Sequence, residues 1–430
     1  MEGRLVGGER LPTQRALADL LGVTVGTVTR GYAEASRRGL LSGEVGRGTF
    51  VRPVRATPEH TGVIDLTHNH PPVPPGDTLR AALSSTLEGM ARAPGVADVL
   101  AYPPDGGDRS HREAGAEWLA RSGLDVDPDR VVVSSGSQHA LSALLASRFR
   151  PGDRILAESC TYPGLKAAAE LLHLRLEGLA MDSEGLVPEA FETACRRGGA
   201  RGLYCVPTIQ NPTAAVMPLG RREAIAEIAR RYAVVVIEDD IHARLPQEPL
   251  PPLARLLPEL AYHVTTTSKS LAPGLRIAFL TGPAGEESRL RAAIRATTWA
   301  ASPLTAEVAA AWIRDGTAER LLAERRREAA ARQQLAADLL QGAEMRAHAC
   351  GYHVWLILPE PWRADSFVAE LARRGVAVTP AEVFAVGRAP APHAVRLGLG
   401  GGLSREQLRS ALATVADALR GPQGPSFPVL

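Results

Sequence analysis

The sequence predicts an α/β protein, in which helices cover both faces of a sheet and a small helical segment precedes it. Three observations predict this fold class. The 430 residues are 45% hydrophobic and 22% charged, which suffices to bury a large core in more than one domain. From residue 63 onward, short β-branched runs alternate with helical stretches. Residues 1–53 hold eight arginines against five acidic residues, so the basic excess of the chain lies at its N-terminus.

Residues 11–51 have the order of two helices and a hairpin. Thr13 is placed to cap a first helix that Gly22 ends, and its apolar residues fall on one face: Leu17, Leu20 and Leu21. Thr24 is placed to cap a second helix, whose apolar stripe consists of Val28, Tyr32 and Ala35. This is the pattern of a helix-turn-helix.

The stretch LLSGEVGRGTFV then predicts a wing, two short strands joined by a glycine-rich tip that carries Arg47. Helix, turn, helix and wing in this order resemble the heads of GntR-type regulators. The resemblance implies binding to double-stranded DNA, with contacts from Arg15, Thr27, Arg30 and Arg47. Such heads usually begin with a further helix before Leu11, so the sequence predicts a shortened head or a start further upstream. Val25 stands where many members carry arginine after the turn.

One of the two lysines in the chain, Lys269, follows a predicted strand in the stretch TTTSKSLAPGLR. A lysine amine can lose a proton and add to a carbonyl, whereas a guanidinium cannot. Lys269 is therefore a Schiff-base candidate, although it could also be a surface cation. Thr266, Ser268 and Arg276 around it suit an anionic ester.

Two further groups follow predicted strands, where the functional residues of such sheets collect. The turn GSQ precedes a helix whose N-terminal N–H groups could hold a phosphate, although most such turns are only turns. Asp239 ends a buried apolar strand, either as a helix cap or as the partner of a buried cation such as a protonated ring nitrogen. These groups together suit a cofactor that has an aldehyde, a phosphate and a basic ring nitrogen. The sequence therefore indicates pyridoxal phosphate as the cofactor.

Nearly all of residues 63–420 resemble the fold-type-I pyridoxal-phosphate-dependent aminotransferases, and with its head the whole chain resembles a MocR-type regulator of the GntR family. The resemblance implies a large mixed-sheet domain and a small C-terminal α+β domain behind the N-terminal winged helix-turn-helix. The predicted boundaries are a head at 1–52, a linker at 53–62, a large domain at 63–300, a small domain at 301–420 and a tail at 421–430.

The family's motifs imply a role for each matching residue. The phosphate would be held by Gly136, Ser137, Gln138, Thr266, Ser268 and Arg276, and by Tyr102 of the other subunit of a homodimer. The pyridine ring would be held by Tyr162 as the stacked aromatic, Asn211 and His242 at the ring oxygen, and Asp239 at the ring nitrogen. Lys269 would be the catalytic lysine, and Arg396 would bind a substrate carboxylate. His242 stands in place of the usual tyrosine, and Ala214 in place of a turn glycine, which disfavours efficient transamination.

Two functions remain open. The first is a DNA-binding transcriptional regulator that senses an amine or amino acid through an aldimine in an aminotransferase-like domain. The second is a true aminotransferase with a vestigial head. The four scattered cysteines predict neither a disulfide framework nor a metal site. The charged N-terminus and the lack of a long apolar run predict a cytoplasmic protein without a membrane segment.

Overall fold

The computed structural model describes residues 9–37, 41–44, 48–51, 62–387 and 390–421. The chain forms two compact units that divide between Thr61 and Gly62. Arg47, most of the predicted linker at 53–62 and most of the predicted tail lie outside the described residues.

The first unit contains two helices and a hairpin. Its elements are α1 (Gln14–Leu21), α2 (Val25–Arg37), β1 (Leu41–Glu44) and β2 (Gly48–Val51), with the two strands antiparallel. The Thr13 side chain accepts a hydrogen bond from the Ala16 N–H at 3.2 Å, and Gly22 ends the helix with φ 65°. The predicted cap, turn and wing are therefore confirmed, and the backbone around Arg10 adds a bridge to Phe50 beside the wing.

The predicted packing face of α1 is partly wrong. Leu20 and Leu21 are 77% and 60% exposed, and the buried residue of the helix is Ala18. Ala18 lies in a small core with three other residues: Val28, Tyr32 and Leu41. A small side chain at the contact lets two short helices approach closely, so the seam of α1 runs one residue away from the bulkier leucines.

The second unit begins at Gly62, and its strands alternate with helices along the chain. The strands are β3 (Ile64–Asp65), β4 (Val132–Ser134), β5 (Arg154–Glu158), β6 (Arg175–Leu179), β7 (Met181–Asp182), β8 (Gly185–Leu186), β9 (Ala200–Cys205), β10 (Val235–Asp239), β11 (Ala261–Thr266), β12 (Ala278–Thr281), β13 (Met345–Ala347), β14 (His353–Ile357), β15 (Val376–Ala377), β16 (Thr379–Pro380) and β17 (Ala394–Gly398). The helices are α3 (Thr78–Arg92), α4 (Arg109–Ala120), α5 (Ser137–Arg148), α6 (Pro163–Leu171), α7 (Pro188–Arg196), α8 (Leu219–Tyr232), α9 (Leu253–Leu256), α10 (Glu287–Thr298), α11 (Pro303–Arg314), α12 (Thr317–Leu339), α13 (Ala364–Arg373) and α14 (Arg405–Leu419).

The main sheet has seven strands in the order β4-β12-β11-β10-β9-β5-β6. Its strands pair in parallel except for β12, which is antiparallel to both neighbours. Every residue of β10 and β11 is buried, as expected where helices cover both faces of a parallel sheet. The core on one face includes residues of α5, α6 and α10, and that on the other includes residues of α4, α8 and α11. The predicted α/β class is confirmed.

A second, four-stranded sheet lies toward the C-terminal end, with its strands in the order β13-β14-β17-β16. It shares a core with α12, α13 and α14. Strand β3, from the start of the unit, pairs in parallel with β15, so the residues that follow β3 run beside this part of the unit. The four cysteines are free thiols. No helix in the described part of the chain combines the length and the hydropathy needed to cross a bilayer.

Candidate functional site

Lys269 lies just after β11, at the carboxyl edge of the main sheet. Its Nζ donates a hydrogen bond to the backbone carbonyl of Asn69, and the Tyr352 hydroxyl donates to the backbone carbonyl of Lys269 at 2.7 Å. Burial, with help from the nearby Arg396 guanidinium, lowers the pKa of the Lys269 amine to about 8. Near neutral pH a sizeable fraction of this amine is therefore neutral and nucleophilic.

Asp239 ends β10, the strand next to β11, and its carboxylate is almost fully buried. The Tyr204 hydroxyl donates to Asp239 Oδ2 at 2.6 Å, while Oδ1 has no hydrogen-bond partner among the described residues. Burial raises the pKa of Asp239 to about 6. A buried carboxylate with one free oxygen is suited to a cationic N–H donor.

The turn before α5 forms a cradle. Gly136, at the start of the helix, has φ 90°, and a Cβ built there would lie 2.5 Å from Nη2 of Arg276. The Arg276 guanidinium thus lies directly against this glycine and near the free N–H groups of the helix, which begins at Ser137. A helix N-terminus beside an arginine attracts an anion.

Thr266 and Ser268, the hydroxyl residues predicted to suit an anionic ester, are hydrogen-bonded to one another and to the sheet. The Thr266 hydroxyl donates to the Ile277 carbonyl at 2.9 Å and accepts from the Ser268 backbone N–H at 3.1 Å. Both side chains are buried. These bonds fix the turn that carries Lys269.

Arg396 and Asn211 are hydrogen-bonded to each other in the site. Arg396 Nη1 donates to Asn211 Oδ1 at 2.8 Å, and Arg396 Nη2 donates to the backbone carbonyl of Thr67 at 2.5 Å. The guanidinium also packs over the Phe384 ring, 4.8 Å from its centroid. Burial lowers the pKa of Arg396 to about 10, so it remains a cation at neutral pH.

Tyr162 and Gln138 lie together at Gly164. The Gln138 amide donates to the Gly164 carbonyl at 2.9 Å, and a Cβ at Gly164 would collide with both side chains. Burial and the nearby Asp239 carboxylate raise the pKa of the Tyr162 hydroxyl. Tyr162 is therefore part of the same group of residues as Asp239.

His242 is fully buried, and neither of its ring nitrogens has a hydrogen-bond partner among the described residues. Burial and the nearby Lys269 hold the pKa of its imidazole well below the ordinary value. It lies 6.4 Å, between ring centroids, from a second buried histidine, His353. Near neutral pH both rings are uncharged, because burial lowers the pKa of His353 to about 3.

One predicted cofactor residue lies apart from this group within a single chain. Tyr102 is 89% exposed, and its ring meets the edge of Trp299 at 5.9 Å between centroids. The structure of one chain therefore brings together the other predicted site residues of the second unit, but not Tyr102.

The sequence did not predict four residues of the site: Tyr204, Asn69, His70 and His353. Tyr204 lies on β9, next to β10, so that strand order alone brings it to Asp239. Asn69 and His70 follow β3, and nothing local in the sequence indicates that this segment reaches Lys269. The only signal was composition, since the stretch THNHPP places two histidines around one asparagine.

A buried group with metal-ligating atoms lies beside Asp239. Ligand atoms of Glu238, Asp240 and His263 lie within 4.8 Å of one another. Glu238 already accepts hydrogen bonds from the backbone N–H groups of Leu253 and Ala254 at 2.8 and 3.0 Å, at the start of α9. Glu238 also accepts from His263 Nδ1 at 2.9 Å, so Glu238 caps α9 and pairs with His263.

The predicted DNA contacts of the first unit are surface residues where the structure describes them. Arg15, Thr27 and Arg30 are exposed. The Thr24 and Thr27 hydroxyls lie 2.9 Å apart, and Thr24 accepts from the Thr27 N–H at 3.3 Å, as a cap of α2. The N-terminal half of the second helix therefore presents its polar side chains to solvent.

Comparison with known proteins divides the chain in the same place. Residues 61–415 match the family described as aminotransferase class I and II, and residues 1–51 match bacterial regulatory proteins of the gntR family. The chain is 32% identical to the HTH-type transcriptional regulator YdeF of Bacillus subtilis, over 96% of this chain and 90% of that protein. It is 28% identical to the HTH-type pyridoxine biosynthesis transcriptional regulator PdxR of Corynebacterium glutamicum, over 97% of this chain and 92% of that protein.

The fold also matches solved aminotransferases. The structure of LysN, the α-aminoadipate aminotransferase of Thermus thermophilus, superposes with a TM-score of 0.74 at 26% identity. The match covers 84% of this chain and 92% of that one.

Proposed function

Because the chain belongs to the MocR-type regulators of the GntR family, which join a winged helix-turn-helix to an aminotransferase class I and II domain, we propose that it controls transcription in response to an amine or amino acid. The proposed sensor is the aminotransferase-like domain with bound pyridoxal phosphate. The observation that carries this proposal is the buried pair of Lys269, with a lowered pKa, and Asp239, with a free Oδ1.

The residues present fit pyridoxal phosphate. The free Oδ1 of Asp239 is suited to a protonated pyridine nitrogen, and Tyr162 supplies an aromatic ring nearby. Gly136, the N-terminus of α5 and Arg276 form a cradle that suits the phosphate, with Ser137, Gln138, Thr266 and Ser268 close to it in the sequence. Asn211 and His242 supply a donor set for the ring oxygen.

When bound, pyridoxal phosphate supplies an aldehyde that condenses reversibly with amines. The chain's own residues would prepare this chemistry. Lys269 has a larger neutral fraction near neutral pH than an ordinary lysine, Arg396 provides a guanidinium for a carboxylate, and Tyr204 keeps the Asp239 carboxylate oriented.

The exposure of Arg15 on α1 and of Thr27 and Arg30 on α2 supports DNA binding by the first unit, and Arg47 is proposed from the sequence as a further contact. A homodimer would present two such heads to repeated half-sites. The exposure of Tyr102 supports the proposal that each site receives this residue from the other chain. The linker at 53–62 and the division of the second unit near residue 300 are proposed as domain boundaries.

The alternative function, an aminotransferase with a vestigial head, is not favoured. The regulators YdeF and PdxR align over 96% and 97% of this chain, head included, whereas the LysN structure covers 84% of it. The head also keeps its caps and its own small core.

The test of the function joins both units in one experiment. Protein purified with pyridoxal phosphate is footprinted on DNA upstream of its own gene, with and without a panel of amines and amino acids. A footprint over repeated half-sites that changes with one of these compounds is expected, and Lys269→Ala should lose the response while keeping basal binding. Rapid turnover with a keto acid and no sequence-preferring footprint would reject the regulator.

A further inference from the structure

The segment Thr67–His70, here called the entry strap, borders the candidate site. Two of its backbone carbonyls accept hydrogen bonds from two cations of the site. The Thr67 carbonyl accepts from Arg396 Nη2 at 2.5 Å, and the Asn69 carbonyl accepts from Lys269 Nζ. The backbone of the entry strap is therefore held next to the groups proposed to bind an amino acid, and the charges of Lys269 and Arg396 act on the His70 imidazole.

The strap is fixed at both ends by the carboxyl end of β17. The Gly398 N–H donates to the Leu66 carbonyl at 2.7 Å, and the Gly401 N–H donates to the Pro71 carbonyl at 3.2 Å. A Cβ at Gly400 would lie 1.6 Å from the His70 carbonyl oxygen, so the two chain segments pack without room for a side chain. Side chains on so constrained a backbone are well placed for recognition.

The strap carries two histidines whose rings lie against each other. The ring centroids of His68 and His70 are 4.9 Å apart, with 32° between the planes. His68 Nδ1 lies 3.2 Å from Asp65 Oδ2, and both histidines are exposed. Between them, Asn69 is only 8% exposed, yet neither polar atom of its amide has a partner among the described residues.

The charges around His70 are mostly positive. Partial desolvation and the nearby Lys269, His68 and Arg396 lower the pKa of the His70 imidazole, and only Asp65 acts in the opposite direction. Protonation of the His70 ring is therefore disfavoured unless an anion binds nearby. The neutral imidazole can still donate one N–H hydrogen bond. Lys269 and Arg396 are already committed to the amino group and one carboxylate in the proposed function. His68 Nδ1 already lies against Asp65 and Thr67, so the His70 ring and His68 Nε2 remain for another group.

We propose that His68 and His70 bind a second acidic group, so that the effector is an amino acid with a carboxylate at the end of its side chain. This inference rests on the proposed function, in which the amino group reacts beside Lys269 and the α-carboxylate meets Arg396. The unpaired amide of Asn69 offers a further donor on the same strap.

The test compares L-glutamate with L-glutamine, which differ at the end of the side chain in charge and not in length. Each is titrated into protein loaded with pyridoxal phosphate, following the visible absorbance. Glutamate should bind roughly tenfold more tightly, as expected for one hydrogen bond to a charged group. His70→Gln and His68→Gln should each bring the ratio of the glutamate and glutamine affinities close to one. The matched control is His173→Asn, an exposed histidine before β6 at the other edge of the sheet, which should keep the preference.

The preference should also depend on pH. A bound carboxylate favours protonated His70, so binding takes up a proton, and the ratio of the two affinities falls as pH rises above the lowered pKa of the free imidazole. Because both amino acids share the chemistry at Lys269, its own titration cancels from the ratio. Equal affinities for glutamate and glutamine, or a ratio unchanged by His70→Gln, would overturn the inference.

A second titration separates this inference from the proposed function. Glutarate carries both carboxylates and no amino group, and it is titrated by calorimetry into cofactor-free protein in buffers of different ionisation heat. Binding with proton uptake that His70→Gln reduces supports the histidine site even if no cofactor is held. Glutarate binding that is indifferent to both histidine variants contradicts the site, whatever the fate of the cofactor proposal.

Discussion

The Tyr204 hydroxyl donates a 2.6 Å hydrogen bond to Oδ2 of Asp239, the buried carboxylate whose other oxygen is free. This bond opposes the effect of burial, since it favours the ionised carboxylate. Oδ2 of Asp239 is therefore held by the protein, and Oδ1 is available to a ligand.

Removing this hydroxyl should weaken cofactor binding. In Tyr204→Phe the pKa of Asp239 rises further above about 6, so that less carboxylate is available to a ring cation near neutral pH. We expect the dissociation constant of pyridoxal phosphate to rise roughly tenfold at pH 7, with a larger effect at lower pH. Equilibrium dialysis measures it. Tyr262→Phe is the matched control, because Tyr262 is also buried but donates to Glu286, and unchanged binding in Tyr204→Phe would contradict the role given to this bond.

Capture of pyridoxal phosphate should follow the titration of Lys269. Its pKa is lowered to about 8, and only the neutral amine adds to a carbonyl, so the rate should rise with pH and level off above about 9. Rapid-mixing measurements of visible absorbance on cofactor-free protein give this profile. Lys269→Ala should abolish the signal and its fixation by borohydride, whereas Lys166→Ala should change neither. A rate that still climbs near pH 10.5 would mean that Lys269 is not perturbed.

Substitution of two glycines that have similar φ angles should affect anion binding differently. Gly136 and Gly152 have φ 90° and 87°, so replacing either with alanine strains the backbone by about 1–3 kcal/mol. Only at Gly136 does a Cβ meet another group, the Arg276 guanidinium, while the space at Gly152 is open. Thermal unfolding should report a loss of stability in both variants, and titration with pyridoxal phosphate should report weaker binding in Gly136→Ala alone. Equal binding by both variants would argue against the cradle.

The exposed arginines of the first unit should contribute to DNA affinity through phosphates. Arg15→Ala and Arg30→Ala should each reduce the dependence of log affinity on log salt by roughly one contact, without changing the visible absorbance. Gel-shift titrations at several salt concentrations measure this slope. Arg409→Ala removes the same charge from an exposed site on α14 and should leave the slope unchanged. If all three variants behave alike, the effect is one of net charge and the assigned contacts are wrong.

The proposed exchange of Tyr102 between subunits can be tested by complementation. Homodimers of Tyr102→Phe should lose the cofactor more readily, and homodimers of Lys269→Ala should lack the lysine-bound absorbance. Mixed dimers should contain one site with both native residues, because Tyr102 is 89% exposed on its own chain and would serve the partner. Dialysis of the mixture should therefore retain a fraction of tightly held cofactor. A mixture no better than the two parents, or a cofactor-loaded monomer in light scattering, would refute the exchange.

The sequence predicted those parts of the site that sit at strand ends. Lys269 and Asp239 follow strands with strong β-branched patterns, and parallel neighbouring strands bring their carboxyl ends to one edge. Tyr204 and Asn69 could not be found in this way, because each reaches the site through a contact between distant parts of the chain. Strand β6 does not have the β-branched run that predicts other strands of the sheet, such as β10. It lies at the sheet edge and includes Arg175 and Glu177, so its composition lacks the apolar run of a central strand.

The packing of α1 shows a different limit. Leucine periodicity predicted a face of Leu17, Leu20 and Leu21, but the contact with α2 forms around Ala18. In a helix of only eight residues, two adjacent stripes are nearly equivalent by periodicity. The partner helix decides between them, and that information is not local.

The hydrogen bonds of the entry strap mean that two cations of the site already have protein partners at Lys269 Nζ and Arg396 Nη2. Arg396 donates a hydrogen bond to the Thr67 carbonyl, and Lys269 donates one to the Asn69 carbonyl, before any ligand binds. An incoming carboxylate must take Arg396 away from a carbonyl, so only the difference between two bonds drives the exchange. If the proposed function holds, this competition would lower the affinity for a carboxylate ligand and raise the effector concentration needed for a response.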